Sequence, residues 1–433
     1  MSLEEPALLG GQPAVQTEDP EQWERETERE AEAAADCVRR GEMTGAGTGV
    51  AKQFEDEFRE YIGAEYCLTT DHGSSALASA YYAVGVGPGD EVIVPTAGYI
   101  GAYEGALHMG ARPVFCDIDP DTLLIDPDDI EEKITERTRA VCVIHFNGRI
   151  CDMDRLLEIG DEHGVAIVED AAHAHGTEWD GRKIGSFGDI ACFSLQATTP
   201  HGKPVAGGEG GVVTTNNREF YERQLAFCHL HRKDVTEEFT DPEYRKLDWE
   251  VLGKKNRAYP PALAVARVSM DSLDYRNERR TAYRNELAER FEGIPGVRAA
   301  GTYERSDSGG LYGGMRVVYE PDELDGLDVE RWAGAVRAEG VYLGGPGFPY
   351  MEHRRQIMQR GFDLWGHDRG PLGGEWCGLP AFEGYEEGDF PVAEDIDRRT
   401  FKLSTYIEPV DDYVDDVVEA FRTVAEASDQ LRE

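Results

Sequence analysis

Short apolar runs alternate with helix-patterned segments through the first half of the chain, and this alternation restricts the fold more than any other feature. The runs are YCLTT at 66–70, EVIVP at 91–95, PVFCD at 113–117, AVCVIH at 140–145, VAIVED at 165–170 and DIACFS at 189–194. Most are apolar on both faces rather than at every second residue, so both faces of the resulting sheet must be covered. Strands of this kind separated by helices of ten to fifteen residues predict an α/β fold with a largely parallel central sheet. In such sheets ligands gather at the carboxyl ends of the strands. Asp170, Ser194 and the turn Asp71–Ser75 all fall at such ends.

The remaining chain predicts further organisation. Residues 1–20 read as an arm, 21–259 as the large domain, and 260–433 as a connecting helix followed by a smaller α+β domain. A chain of 433 residues is too long for one small core. A charged, alanine-rich helix is expected from Pro20 to Arg40, one long helix from Pro260 to about Arg290, a strand at 315–319 and a last helix around 413–427. The Gly- and aromatic-rich stretch 344–385 reads mainly as loop.

Charge excludes several functions. With 85 acidic residues against 44 basic ones the formal net charge is −41, which repels nucleic acid phosphates and anionic membranes. The acidity is spread along the chain, as on a solvated surface suited to a high-salt, halophilic cytoplasm that screens the repulsion. No apolar run approaches the roughly 18 residues a membrane helix needs, and a cytoplasmic location is expected. The eight cysteines lack a CxxC pair and read as free thiols of a reducing compartment. His173-Ala-His175 and Cys228-His229-Leu-His231 have no second cluster to complete a zinc site, so no metal is expected.

Lysine is scarce, at nine residues, and one of them, Lys203, lies in a glycine-rich loop before Gly207-Gly-Glu-Gly-Gly211. Asp170 and Ser194 each end an apolar run upstream of it. Singly, these residues read as readily as a helix cap, a strand-end hydroxyl and a surface charge. Together they are the groups a lysine-bound cofactor requires. An amine forms an imine and moves protons, a carboxylate keeps a ring nitrogen charged, and hydroxyl or helix-start donors hold a phosphate. Lys203 is preferred to Lys183 because Glu209 follows it by six positions, whereas Lys183 falls in a turn before Gly185.

The strings EDAAHAHG, then IGSFGDIACFS, then GK followed by the glutamate of GEGG, resemble the DegT/DnrJ/StrS family of sugar aminotransferases. ALLGGQPA near the start, HGSSAL at 72–77, GVGPGDEVIVPTAGYIGA at 85–102, GARPVFCDID at 110–119 and PVAE at 391–394 extend the resemblance over most of the chain. The resemblance implies a fold-type-I, aspartate-aminotransferase-like scaffold and pyridoxal 5'-phosphate as cofactor. Lys203 would carry the cofactor, Asp170 would face the ring nitrogen and His173 would lie near the phenolic oxygen. Tyr99 would stack on the ring, with Gly73, Ser74, Ser75 and Ser194 around the phosphate. Lys255 stands where the family pattern places an asparagine that reaches the neighbouring subunit's cofactor phosphate. His175 has no matching family role.

The reading that follows is an aminotransferase, working as a homodimer with shared sites, that moves an amino group from glutamate or glutamine to a keto-sugar, often nucleotide-linked, or a keto-cyclitol. Two alternatives stand beside it. His201, near Lys203, raises a sugar dehydratase on the same scaffold, and a low-turnover cofactor-binding regulatory protein is the reading from another class. The loop LQATTPHG at 195–202 is longer than the family pattern and puts Lys203 on a bulged path.

Overall fold

The structure, a computed structural model, describes residues 5–18, 20, 23–196, 203–229, 239–246, 253–306, 312–408 and 411–432. The strands come in the expected order: β1 (Tyr66–Thr70), β2 (Glu91–Pro95), β3 (Arg112–Cys116), β4 (Thr138–Ile144), β5 (Ala166–Asp170), the short ribbon β6 (Glu178–Trp179) with β7 (Arg182–Lys183), then β8 (Ile190–Ser194) and β9 (Gly211–Thr215). Seven of them form one sheet in the order β1-β9-β8-β5-β4-β2-β3. All run parallel except β9, which is antiparallel to both β1 and β8. Leu68, Val92 to Val94, Val141 to Val143 and Phe193 are fully buried, as strands covered on both faces must be. Burying each such side chain stabilises the fold by about 1.5–3 kcal/mol relative to leaving it in water.

A second sheet, in the order β10-β11-β13-β12, is built from β10 (Val297–Ala299), β11 (Met315–Tyr319), β12 (Leu343–Pro346) and β13 (Thr400–Leu403). Its core contains Trp332, Tyr319, Phe401 and Phe421. The expected helix from 260 to 290 is two helices, Pro260–Met270 and Leu273–Phe291. The break at Asp271-Ser272 sends the chain from one core to the other: Leu263 and Ala266 belong to the large core, Leu287 and Phe291 to the small one. Apolar periodicity runs through the break because both polar residues fit the helical pattern. Thr27–Arg40 is the first long helix, shorter at its start than the expected Pro20–Arg40.

Two segments cross between these cores. The arm packs on the small one, where Leu9, Ala14 and Val15 meet its apolar residues. Buried Glu339 accepts the backbone N–H of Ala7 at 2.7 Å and that of Ala14 at 2.9 Å. In the other direction Phe348, Met351, Met358, Leu372, Phe390 and Ile396 pack into the large core. The stretch 344–385 is mostly irregular, with the short helix Gln356–Arg360 inside it. No disulfide forms among the described residues; seven of the eight cysteines are buried and Cys377 is exposed. Among the described residues no helix is long and apolar enough to cross a membrane.

Candidate active site

A cavity of about 980 Å³ opens at the carboxyl ends of the parallel strands and is closed from the other side by the small sheet. Lys203, Asp170, His173, Tyr99, Gly73, Ser74 and Ser194 all line it. Ser75 and Lys255 do not.

Asp170 is the last residue of β5, and its neighbour Glu169 points to the opposite face. Glu169 is fully buried and accepts backbone N–H groups from Gly185 at 3.0 Å, Phe187 at 3.1 Å and Gly188 at 2.7 Å, with His145 Nε2 at 3.4 Å. One carboxylate of the pair therefore folds the loop while the other serves the cavity. Asp170 Oδ1 accepts from Ala172 N at 3.1 Å, and Oδ2 has no hydrogen-bond partner among the described residues. Burial raises the Asp170 carboxyl above the usual carboxylate range, against the attraction of Lys203. A cationic ring nitrogen is the kind of partner that carboxylate lacks.

The Lys203 amine has no hydrogen bond or ion pair among the described residues, and its Nζ lies 5.8 Å from the centre of the Tyr312 ring. Burial pushes it down to about 8, although Asp170 and Glu209 favour its charged form. A lysine so placed has a populated neutral amine near physiological pH. Lys183 differs in two respects: its amine is 2.6 Å from Glu178 Oε1 and it is not part of the cavity wall. His201 and residues 197–202 of the extended loop lie outside the described residues.

His173 Nδ1 accepts the backbone N–H of Asn147 at 3.3 Å. The ring proton therefore sits on Nε2 and the ring is neutral; burial pushes its pKa well below the ordinary histidine value, with Lys203 next in effect. Its ring centre is 4.3 Å from that of Tyr312. His175 is fully buried and does not line the cavity. Tyr99 is half exposed, with its ring 5.5 Å from Tyr350.

At the far end the helix Gly73–Ala83 begins at the cavity. A Cβ on Gly73 would stand 2.8 Å from Ser194 Cβ, so only glycine lets the helix start approach the end of β8 this closely. Backbone donors of a first helical turn with the Ser74 and Ser194 hydroxyls make an anion cradle. Ser75 turns behind it, where its Oγ accepts from Asn256 Nδ2 at 2.9 Å. Asn256 also accepts Asp71 N through its carbonyl at 2.9 Å. Within this chain, then, the asparagine of Gly253–Arg257 buttresses the cradle from behind, and Lys255 is solvent-exposed.

Residues overlooked in the sequence complete the wall: Arg316, Lys402, Arg280, Tyr312 and Asn147. Asn147 holds φ 57, a left-handed conformation that places it under His173. The one signal for Arg316 was a charge inside the expected strand 315–319.

The donor set thus fits pyridoxal phosphate: a depressed amine, a buried carboxylate short of a cation, a neutral imidazole donor and an anion cradle that a side chain on Gly73 would fill. Folds of this topology that present a lysine amine to such a cavity form the fold-type-I class of pyridoxal-phosphate enzymes, and this chain is one of them. Residues 24–325 match the DegT/DnrJ/EryC1/StrS aminotransferase family, and the chain belongs to that family. It is 32% identical over 386 residues to the spore coat polysaccharide biosynthesis protein SpsC of Bacillus subtilis, covering 87% of this chain and 90% of that one. It is 30% identical to a putative L-glutamine:3-amino-2,3-dideoxy-scyllo-inosose aminotransferase of Streptoalloteichus tenebrarius, covering 98% and 99%. Among solved structures, DesV of S. venezuelae in complex with a ketimine intermediate superposes with TM-score 0.73 at 29% identity, over 92% of this chain and 95% of that one. The 3-amino-5-hydroxybenzoic acid synthase has the same fold, with TM-score 0.73 at 24% identity over 95% and 99%.

Proposed function

We propose that the protein moves an amino group from glutamate or glutamine to a keto-cyclitol or keto-sugar, with Lys203 as its catalytic base and acid. The observation that carries this is the depressed Lys203 amine, without an ion pair among the described residues, beside buried Asp170 in one cavity. Relatives named as glutamine:cyclitol aminotransferases support the choice of donor and acceptor. Bound pyridoxal phosphate supplies an aldehyde that takes up the amine and a ring that withdraws electrons from the carbon bearing it.

The chain's own residues do the rest. Lys203 Nζ, with its acidity near 8, gives up and regains a proton close to working pH, which is the condition for efficient general acid–base transfer. Asp170 keeps negative charge at the floor of the cavity. His173 offers a proton at Nε2 as a neutral donor, and Tyr99 closes one face. Gly73, Ser74 and Ser194 hold the phosphate, with Ser75 positioned behind them by Asn256. Lys255, exposed and outside its own chain's cavity, is available to a second copy, which supports a homodimer with shared sites. The acidic surface supports work in a salty cytoplasm.

The test is spectroscopic. Purified protein mixed with pyridoxal phosphate should show a visible band that borohydride removes, and glutamate or glutamine should convert the bound cofactor to its amine form. Lys203→Ala should lose the borohydride-sensitive band; a band unchanged in that variant sinks the assignment. Following product from a panel of keto-cyclitols and keto-sugars then identifies the acceptor.

A further inference from the structure

Arg316 of β11 and Lys402 of β13 are direct partners in an antiparallel register, and both side chains line the cavity. Residues paired in this way share one face of the sheet, with Cβ atoms about 4.5–5.5 Å apart, where like charges repel. In a chain with 85 acidic residues a carboxylate is the expected partner for each. Among the described residues neither cation has one. Arg316, 5% exposed, donates from Nε to Asn147 Oδ1 at 3.2 Å and from Nη1 to the Gly347 carbonyl at 2.9 Å, both neutral acceptors. Its guanidinium lies 5.8 Å from the ring centres of Phe146 and Phe348, which fix its direction. Asp397, whose charge reaches Arg316, is held by Arg354 Nη1 at 2.7 Å and by Phe348 N at 2.8 Å. Lys402 crosses Gly314, where a Cβ would stand 3.1 Å from its Cε, and has no hydrogen bond or ion pair among the described residues.

Two adjacent cations, partly withdrawn from water and without a paired carboxylate among the described residues, are costly unless an anion completes them. The cofactor phosphate has its own cradle at Gly73, Ser74 and Ser194, beside β1 and β8. Arg316 instead reaches Asn147 beyond β4 and Gly347 of the small lobe, on the His173 side of the cavity.

We infer that Arg316 and Lys402 form a subsite for an anionic oxygen group, a carboxylate or a phosphate, carried by a substrate of the amine transfer. The inference rests on the transaminase reading of the cavity. The shared chemistry has two sources: the carboxylate of the amino donor, or an acidic group on the acceptor.

Calorimetric titration of the holoenzyme at fixed salt separates them, with 2-oxoglutarate as the donor-side probe and uridine diphosphate as the acceptor-side probe. Wild type should bind at least one, and Arg316→Met and Lys402→Met should each weaken that binding about tenfold or more, the worth of a charge-assisted hydrogen bond. Lys402→Arg should retain it. A loss confined to 2-oxoglutarate assigns the subsite to the donor, and a loss confined to uridine diphosphate assigns it to the acceptor. Lys402→Met should also melt no lower than wild type, because it relieves a repulsion; a clear drop marks a structural cation and overturns the inference. So does binding of neither probe, or equal binding by wild type and both methionine variants. The wild-type absorbance response to glutamate or glutamine is recorded alongside. Anion binding without that response defeats the transaminase reading and leaves the subsite standing, whereas the response with no dependence on Arg316 and Lys402 does the reverse.

Discussion

Gly73 approaches Ser194 so closely that a Cβ on the glycine would lie 2.8 Å from the serine Cβ and 3.2 Å from its Oγ. The start of the helix and the end of β8 are thereby held as two sides of one cradle. Gly73→Ala must push the serine or the helix aside, a kind of overpacking that costs about 1–3 kcal/mol. Titration of the apoprotein with pyridoxal phosphate should show weakened binding, and the apoprotein should melt lower by about 2–4 °C for each kcal/mol lost.

The Lys203 amine yields a pH prediction. Its acidity in the fold is about 8, below the ordinary lysine value of 10.5, so the folded chain holds fewer protons than the unfolded one between those values. This group's contribution to apoprotein stability therefore rises with pH across that window and is constant below about 8. The rate of imine formation with added pyridoxal phosphate should climb with pH and level off above about 8. Stopped-flow absorbance checks it; a rate still rising steeply toward pH 10 would contradict the depressed amine.

Glu169 makes a different test, of the scaffold rather than the chemistry. Both its oxygens accept backbone N–H groups, so Glu169→Gln turns an amide donor toward a backbone donor at a fully buried position. Chemical denaturation should show a loss of about 2–4 kcal/mol, from weakened charge-assisted bonds and an unmatched N–H.

Glu339 ties down the arm through the N–H groups of Ala7 and Ala14. Glu339→Ala should release residues 5–18 to limited proteolysis and cost about 1.5–3 kcal/mol for the lost hydrogen bonds to a carboxylate. An arm that stays protease-resistant would mean that the packing of Leu9 and Val15 holds it alone.

The parallel sheet and the sites at its edge were legible because their signals are local. A buried strand announces itself in five residues, and Asp170, Ser194 and Lys203 stand at strand ends or in a glycine loop. Arg316 and Lys402 were not legible, since each looks like an ordinary strand charge until the register of β11 and β13 brings them side by side. The same holds for Asn256. Position in a motif pointed to Lys255, but the asparagine one residue later turns toward Ser75, a choice made by the bridge that sets Lys255 opposite His229. The break at Asp271-Ser272 escaped for the opposite reason, because its residues satisfy the helical pattern while the two cores pull the chain apart.

The crossing of segments between the cores bears on how such an enzyme can acquire a new acceptor. Phe348 to Ile396 leave the small lobe and pack into the large core, while the arm from the other end of the chain is anchored on the small one. The wall that carries Arg316 and Lys402 is not a free cassette for splicing near residue 260, since the incoming piece would also bring foreign residues into the large core at Phe348, Met351, Phe390 and Ile396. Point substitutions at Arg316 or Lys402, which line the cavity and belong to neither apolar core, alter the wall without that mismatch.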